Sequence, residues 1–592
     1  MSPHASLAAL APFLLLAACA AGPAGSARAK AGSLAAEQTN FPTREALAQL
    51  AAVPVSARLF DGDAKDVPTW ELTGPLPDAV DRTPFQDDSP WGKLFVEVAA
   101  ARGAAVVATE AMRCLARENA TFYLANDALP AELLERFIAA RCGVPNGNVG
   151  TAFSMITADE RAPDDKLFAQ FQGQTRDLVA RTLKDGQLDA GLAYVRKGAR
   201  AVIALSIAPQ TVRLARTPLV PGAGGDVLLQ GEVLGPVVTL RALVNRGRYG
   251  YATCAVAPSV ALPRFTIVCP TAPDDEVAWI SVSALPPGRV LGNTVLEMMV
   301  WPAGTPGKAY TRLTRSGGPA SATSAADLVQ EINRLRAEAK LPALTLADQE
   351  SAVAVRLAPH YFSSSAAGGG DGKADQVALG LLAGWEVGGT LRDAHFVSTW
   401  LGDASSWSEV IRAALARPLG RQTLLDPTAE RVAVGPVTAE HAYGALFTTY
   451  ALFDGYHHDR DAGAVAERIG ALRVAAGVGK VRLAPDLSAD ANLAAKLVQA
   501  GQRTPKEALD ALLQRIVDRT GRSVRGWAAE ATALDRIVLP TELTASPTLT
   551  VGIGVGHHRP AGSAWGRFVV FIVADEAAPA PLTAGAAAPH EG

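Results

Sequence analysis

Apolar residues recur along this chain at two spacings, and the change from one to the other marks its parts. From Ser324 onward Leu328, Ile332 and Leu335 fall three and four apart, which places them on one face of a helix, and Ser324 with Asp327 three residues on is the pattern of a capped start. After the exit LPALTL come a second apolar helix, SAVAVRLAPHYF, the loop GGGDGKADQ and Gly384-Trp385. The spacing in AHFVSTWL predicts another helix, followed by the turn ARPLGRQTLLDP and by VAVGPV leading into the apolar strand ALFTTYALF. Residues 209–303 read differently: VLLQGEV, VVTLRALV, YATCAVA, RFTIVCP, AWISVSA and VLEMMVW are short β-branched runs separated by Gly and Pro, the spacing of a sandwich. The following TPGKAYTRLTRSGGPASA reads as a linker.

One pattern is used more than once. EINRLRAEAKLPALTL (Glu331–Leu346) returns as RIGALRVAAGVGKVRL (Arg468–Leu483), and aligning Ile332 with Ile469 puts Leu335 on Leu472, Arg336 on Arg473, Leu344 on Val481 and Leu346 on Leu483 without a gap. The helix LSADANLAAKLVQAG, a helix from Pro505, Gly526-Trp527 and TVGIGVGHHRP before GRFVVFIVAD then mirror the order of the earlier segment. Upstream, LFVEVAAARG, MRCLARENATFYL, LPAELLERFIAARCG and LDAGLAYVRKGARAVIALSIA follow the same order of parts, as a third copy or as a chance likeness among Ala-rich helices. Each copy is expected to pack helices on a short central sheet.

At 592 residues the chain exceeds one core, and 49% hydrophobic with 19% charged residues supplies material for several. A formal charge of −3 with no basic run offers nothing to neutralise phosphates, so no nucleic acid partner is expected. The apolar run Leu7–Ala18 suits a cleaved signal peptide. Leu16-Ala17-Ala18-Cys19 after it resembles the bacterial lipobox, which would make Cys19 the lipidated mature N-terminus. No Lys or Arg precedes the run, so a plain secretory signal, or a wrongly assigned start, stays open. Ala20 lacks the aspartate associated with inner-membrane retention, which favours the outer membrane or cell surface. Four cysteines remain; Cys114 with Cys142 and Cys254 with Cys269 are the local pairs for disulfides in an oxidising compartment.

The order of parts from about 320 to 454, with Asn333 and Arg336 in its first helix, Gly384-Trp385-Glu386 and the turn at Arg417 to Arg421, resembles the CAP superfamily, also called SCP or cysteine-rich secretory protein domains, in its bacterial form. The resemblance implies an α/β fold with repeated α-β-α sandwich domains, beside which the strand spacing of 209–303 predicts an all-β, immunoglobulin-like sandwich. The expected organisation is a signal peptide over 1–19, a tether and N-terminal extension over 20–84, a candidate degenerate copy over 85–208 and the β-sandwich over 209–305. A CAP-like domain over 318–454, a second degenerate one over 461–575 and a disordered tail over 576–592 complete it.

In many CAP domains two histidines and two acids line a cleft, and in some they hold a divalent metal. Here the resemblance puts Leu357 in one histidine slot, Ser363-Ser364-Ser365 in another and Gly420 where the turn should carry a third, with Arg421 kept. Glu386 stands at an acid slot, and His360, Glu386, His395 and Arg421 are the candidate cleft residues. No catalytic residue is assigned, no cofactor is expected beyond an unassigned divalent metal, and a lone histidine near an apolar face is more often structural. His457-His458 and His557-His558 are neighbours whose side chains diverge on a strand, so neither pair is a two-ligand site by itself. GGGDGKAD fails as a phosphate loop, no GxSxG elbow or SxxK set occurs, and the sequon at Asn119 reads as coincidence. The expected function is an envelope lipoprotein, anchored to the membrane through its lipid, that binds a lipid, peptide, cell-wall or protein ligand without catalysis. The alternatives are a metal-dependent hydrolase rebuilt around His360, Glu386, His395 and perhaps His557, and an envelope scaffold.

Overall fold

Thr43 caps the first helix, α1 (Arg44–Ala51), by accepting the Ala46 N–H at 3.2 Å, and the helix buries Leu47 and Leu50. The computed structural model describes residues 29–33, 41–55, 64–65, 67–103, 105–146, 149–183, 186–222, 224–287, 291–312, 324–366, 372–402, 404, 406–439, 442–544 and 548–575. Cys19, the leader and the tail from 576 lie outside them. The described residues form two compact units, one within 41–456 with 559–566, the other of 29–33 with 457–558 and 567–575.

In the larger unit the chain runs through α2 (Pro90–Ala101), strand Ala105–Ala108, α3 (Glu110–Asn126), α4 (Glu132–Arg141), strand Gly150–Thr157, α5 (Asp164–Thr182) and strands Gln187–Lys197 and Arg200–Pro209. The sheet order is 105–108, 187–197, 200–209, 150–157; the first pair is parallel and the others antiparallel. A disulfide between Cys114 and Cys142 ties α3 to the end of α4. Asn119 of the sequon is fully buried and donates to Thr151 Oγ1, so it presents no amide for modification.

Residues 212–300 then form two four-stranded antiparallel sheets, ordered 212–214, 226–233, 264–270, 255–256 and 250–253, 239–246, 278–285, 293–300. Val227, Leu229, Phe265 and Ile267 of one sheet share a core with Ala242, Val244, Ile280 and Val282 of the other. Cys254 sits where the chain crosses between the sheets and bonds Cys269.

A third set of elements follows: α6 (Ala325–Glu338), strand Thr345–Leu346, α7 (Asp348–Ala366), α8 (Lys373–Ala383), strand Leu391–Gly402, α9 (Trp407–Ala416), α10 (Pro418–Leu424) and strands Arg431–Ala439 and Ala442–Leu452. The strand order, 345–346, 431–439, 442–452, 391–402, and the directions repeat those of the first set. α7 and α8 pack on one face of the sheet, and α6, α9 and α10 on the other. Ser324 and Asp327 form the reciprocal cap at the start of α6.

The smaller unit runs α11 (Asp461–Ala475), strand Val481–Leu483, α12 (Pro485–Gln499), α13 (Pro505–Thr520), strand Val524–Ala531, two short 3-10 turns and strands Leu549–His558 and Arg567–Asp575. Its sheet, 481–483, 549–558, 567–575, 524–531, has the same order and directions.

Equivalent atoms make equivalent bonds in these sets. The N–H at the start of α3, α7 and α12 donates to the parallel strand as Thr109 to Ala190 O, Ala347 to Val432 O and Ala484 to Val551 O. Ser351 Oγ accepts the Val434 N–H, and Ser488 Oγ accepts that of Ile553. A Cβ on Gly435 or Gly554 would strike the backbone of Ala354 or Ala491, so only glycine lets strand and helix approach this closely. Arg336 and Arg473, both fully buried, donate from Nε to a carbonyl six residues on (Pro342, Gly479) and from Nη1 to the connection before the next strand: Leu424 and Asp426 in one, Leu543 in the other. The register does reverse one charge: Glu331 accepts the Ser408 hydroxyl, while Arg468 at the same step donates to Leu534 O.

The structure departs from the sequence expectation in three places. AHFVSTWL is a strand, because helices cover both its faces; Phe396 and Trp400 point to α7 while Val397 and Leu401 join the opposite core, which erases the alternation. Residues 29–33 of the expected tether pair in parallel with Val524–Ala528, since an exposed strand edge offers main-chain partners to any extended segment. Within the expected linker, Ala309–Thr311 pairs with Thr69–Glu71. Among the described residues no helix is long and apolar enough to cross a membrane.

Candidate functional site

The equivalence of the three helix starts exposes one residue that breaks the pattern. Counting from the paired N–H groups, Glu350 of α7 occupies the step held by Leu487 in α12 and Met112 in α3, which are both core residues. Glu350 is only 1% exposed. A carboxyl in an apolar slot is costly, and burial pushes this one up to about 7, with the nearby Glu386 carboxylate acting in the same direction and the Glu386 N–H and Arg44 against it. Glu350 Oε2 accepts the Glu386 N–H at 2.7 Å, and among the described residues no cation forms an ion pair with it.

Glu350 lies at the floor of a cleft of about 570 Å³, counted to its open mouth. Leu47, Ala48 and Ala51 of α1 form one wall, Val353 and Arg356 of α7 a second, and Trp385 with Glu386 a third. The walls are held by local bonds. Gly384 ends α8 in the left-handed conformation at φ 60°, which turns Trp385 and Glu386 toward α1. Trp385 Nε1 donates to Pro42 O at 2.9 Å, Arg44 Nη2 donates to Trp385 O at 2.6 Å, and Arg44 Nε pairs with Glu386 Oε1 at 3.1 Å. Arg356 is exposed at the rim. Behind Glu350, Tyr450 donates to Leu381 O, its phenol pKa raised by burial and then by Glu350. Met112 lines a smaller hollow, about 360 Å³ counted in the same way, which carries an Arg82–Asp189 pair at 2.5 Å.

Of the four residues singled out by sequence, Glu386 alone lines this cleft. His360 lies buried in α7 at the step of Phe122 and Leu497, and burial followed by Lys373 lowers its pKa. His395 lies on the opposite face of the sheet from α7. Ser398 and Phe396 meet Tyr361, and by alternation His395 points away, to Asp426 at 3.3 Å. His360 and His395 therefore do not share a cleft. Arg421 is engaged with Leu415 O, Gly247 O and Gly250 O, fastening α10 to the β-sandwich. His557 belongs to the smaller unit, where its Nδ1 faces His458 Nε2 at 2.9 Å and His458 Nδ1 faces Asp461 at 2.7 Å. Among the described residues no group of three or more His, Cys, Asp or Glu is placed to hold a metal. Glu350 was missed, although extending the 332-to-469 alignment only a few residues would have set it against Leu487.

Asp426 gives His395 a structural role that can be measured. Burial raises the Asp426 pKa, but the His395 and Thr428 hydrogen bonds outweigh it and hold the carboxyl at about 2. A depressed acid contributes stability above its unfolded value and loses it as pH falls through the folded one. His395→Ala is expected to cost roughly 1–2 kcal/mol at pH 7, a difference that fades as pH falls from about 4 to about 2. Ligand binding in the Glu350 cleft is expected to be unchanged. Urea unfolding across that range checks it.

A scan against protein-family models finds no match for this chain, and a search among curated proteins finds no similar one.

Proposed function

We propose that this protein is an exported binding protein of the cell envelope, built on repeated CAP-like modules around an immunoglobulin-like sandwich, with the cleft at Glu350 as its ligand site. The observation that carries the reading is the exchange of an apolar core residue for a carboxyl at one of three equivalent positions, where an open cleft adjoins it. Perturbed titratable groups in concave, mostly apolar sites mark binding or catalysis. Anchoring through Cys19 rests on the leader and its lipobox, and the two disulfides suit an oxidising compartment. Binding without catalysis is the simpler use of this site, because Glu386 is already neutralised by Arg44.

The test is a fluorescence titration of the full chain with 1-anilinonaphthalene-8-sulfonate, whose rings fit the apolar walls and whose sulfonate suits Arg356. One saturable site per chain is expected, abolished by Ala48→Trp, an exposed substitution that fills the mouth. Binding that Ala48→Trp leaves intact would move the ligand site elsewhere.

A further inference from the structure

Resting on the cleft being the ligand site, we infer that its ligand is an alkyl chain ending in a primary ammonium that meets Glu350, with an anionic group toward Arg356. Three features of the lining select this chemistry. The Glu386 charge is met by Arg44, whereas Glu350 accepts a single main-chain N–H and among the described residues has no ion pair. An ammonium supplies the missing charge and up to three donors. Between Glu350 and Arg356 the walls offer Leu47, Ala48, Ala51 and Val353, which suit methylenes and would leave the hydroxyls of a sugar without partners. Arg356, exposed at the rim, supplies the cation for the anionic end. A fatty acid would satisfy Arg356 but leave Glu350 unmet. Glu350 and Arg356 are six residues apart on α7, a rise of about 9 Å along the helix axis, which sets the scale of the ligand at a chain of several methylenes.

The charge balance is explicit. With Glu350 protonated, binding of an alkylammonium transfers its carboxyl proton to solvent and leaves an ammonium–carboxylate pair; with Glu350 ionised, no proton moves. The charged or titratable groups facing Glu350 are Glu386, Arg44 of α1, Arg356 of α7 and Tyr450 of the sheet. Given a free carboxyl pKa of about 7, affinity is expected to rise about tenfold from pH 6 to pH 8.

The experiment is isothermal titration of the full chain with 6-aminohexanoate, hexanoate and hexan-1-ol at pH 6 and pH 8, in buffers of different ionisation enthalpy. Expected are the tenfold rise for 6-aminohexanoate with release of nearly one proton at pH 6, at least tenfold weaker binding of the other two, and loss of the pH dependence in Glu350→Gln. Hexanoate or hexanol binding equally well, or pH-independent binding, would overturn the ammonium assignment. If the naphthalene probe binds in an Ala48→Trp-sensitive way but 6-aminohexanoate neither binds nor displaces it, the ligand class falls and the cleft stands. If neither binds, both fall.

Discussion

Glu350→Leu is expected to make the protein more stable and to abolish binding in the cleft. The sign follows from the raised carboxyl. An acid whose folded pKa is lifted from about 4.5 to about 7 holds its proton longer in the folded state, so stability falls as pH rises between those values and stays low above them. That penalty is about 3 kcal/mol at pH 8. Leucine removes it and reproduces the residue at the equivalent step of α12; against this, the Glu386 N–H loses its acceptor, worth about 1 kcal/mol. A net gain of roughly 2 kcal/mol at pH 8, shrinking as pH falls from about 7 and gone near pH 5, is the expectation for urea unfolding. Glu350→Gln should flatten the same pH profile while keeping the side-chain shape. A leucine variant no more stable than the wild type at pH 8 would remove the claim that this carboxyl is held there at a cost.

The opposite outcome is expected at Arg336, where alanine should cost roughly 3–5 kcal/mol and lysine nearly as much. Arg336 is fully buried, and its guanidinium joins the carbonyls of Pro342, Leu424 and Asp426, two connections that are distant in sequence. Alanine leaves those carbonyls without their donor and opens a cavity. Lysine cannot reach them with one planar fork. Arg473→Ala should act likewise in the smaller unit, through Gly479 and Leu543. Exposed pairs such as Arg213 with Glu232 should cost less than about 1 kcal/mol when broken, so denaturant midpoints for these variants give a direct contrast.

Which of these features could be read from sequence depends on whether the signal was local. The strands of 226–300, the cap at Ser324 and the alignment of Arg336 with Arg473 follow from short-range spacing, and each appears where spacing places it. The Cys254–Cys269 bond was legible for the same reason. AHFVSTWL was misread because a strand covered on both sides loses its alternation. His395 looked like a partner of His360 because linear order says nothing of which face of a sheet a residue takes. The wall supplied by α1 was invisible, since its contacts with α7 and α8 span more than 300 residues, as from Pro42 to Trp385. Glu350 was legible only by comparing copies, where a polar residue replaces an apolar one.

The reversed charge at Glu331 and Arg468 bears on how this chain avoids tangling while it is made. α6 and α11 are synthesised in one polypeptide and share core positions, Ile332 and Arg336 being buried like Ile469 and Arg473, although Leu472 is exposed where Leu335 is buried. Repeated modules tend to fail by exchange of such elements. A misplaced α11 would take from the Ser408 hydroxyl the carboxylate that accepts it, and a misplaced α6 would bring a carboxylate against the Leu534 carbonyl, an acceptor facing an acceptor. Each wrong docking forfeits a native hydrogen bond and the second adds repulsion, so both exchanges are disfavoured by one residue per helix.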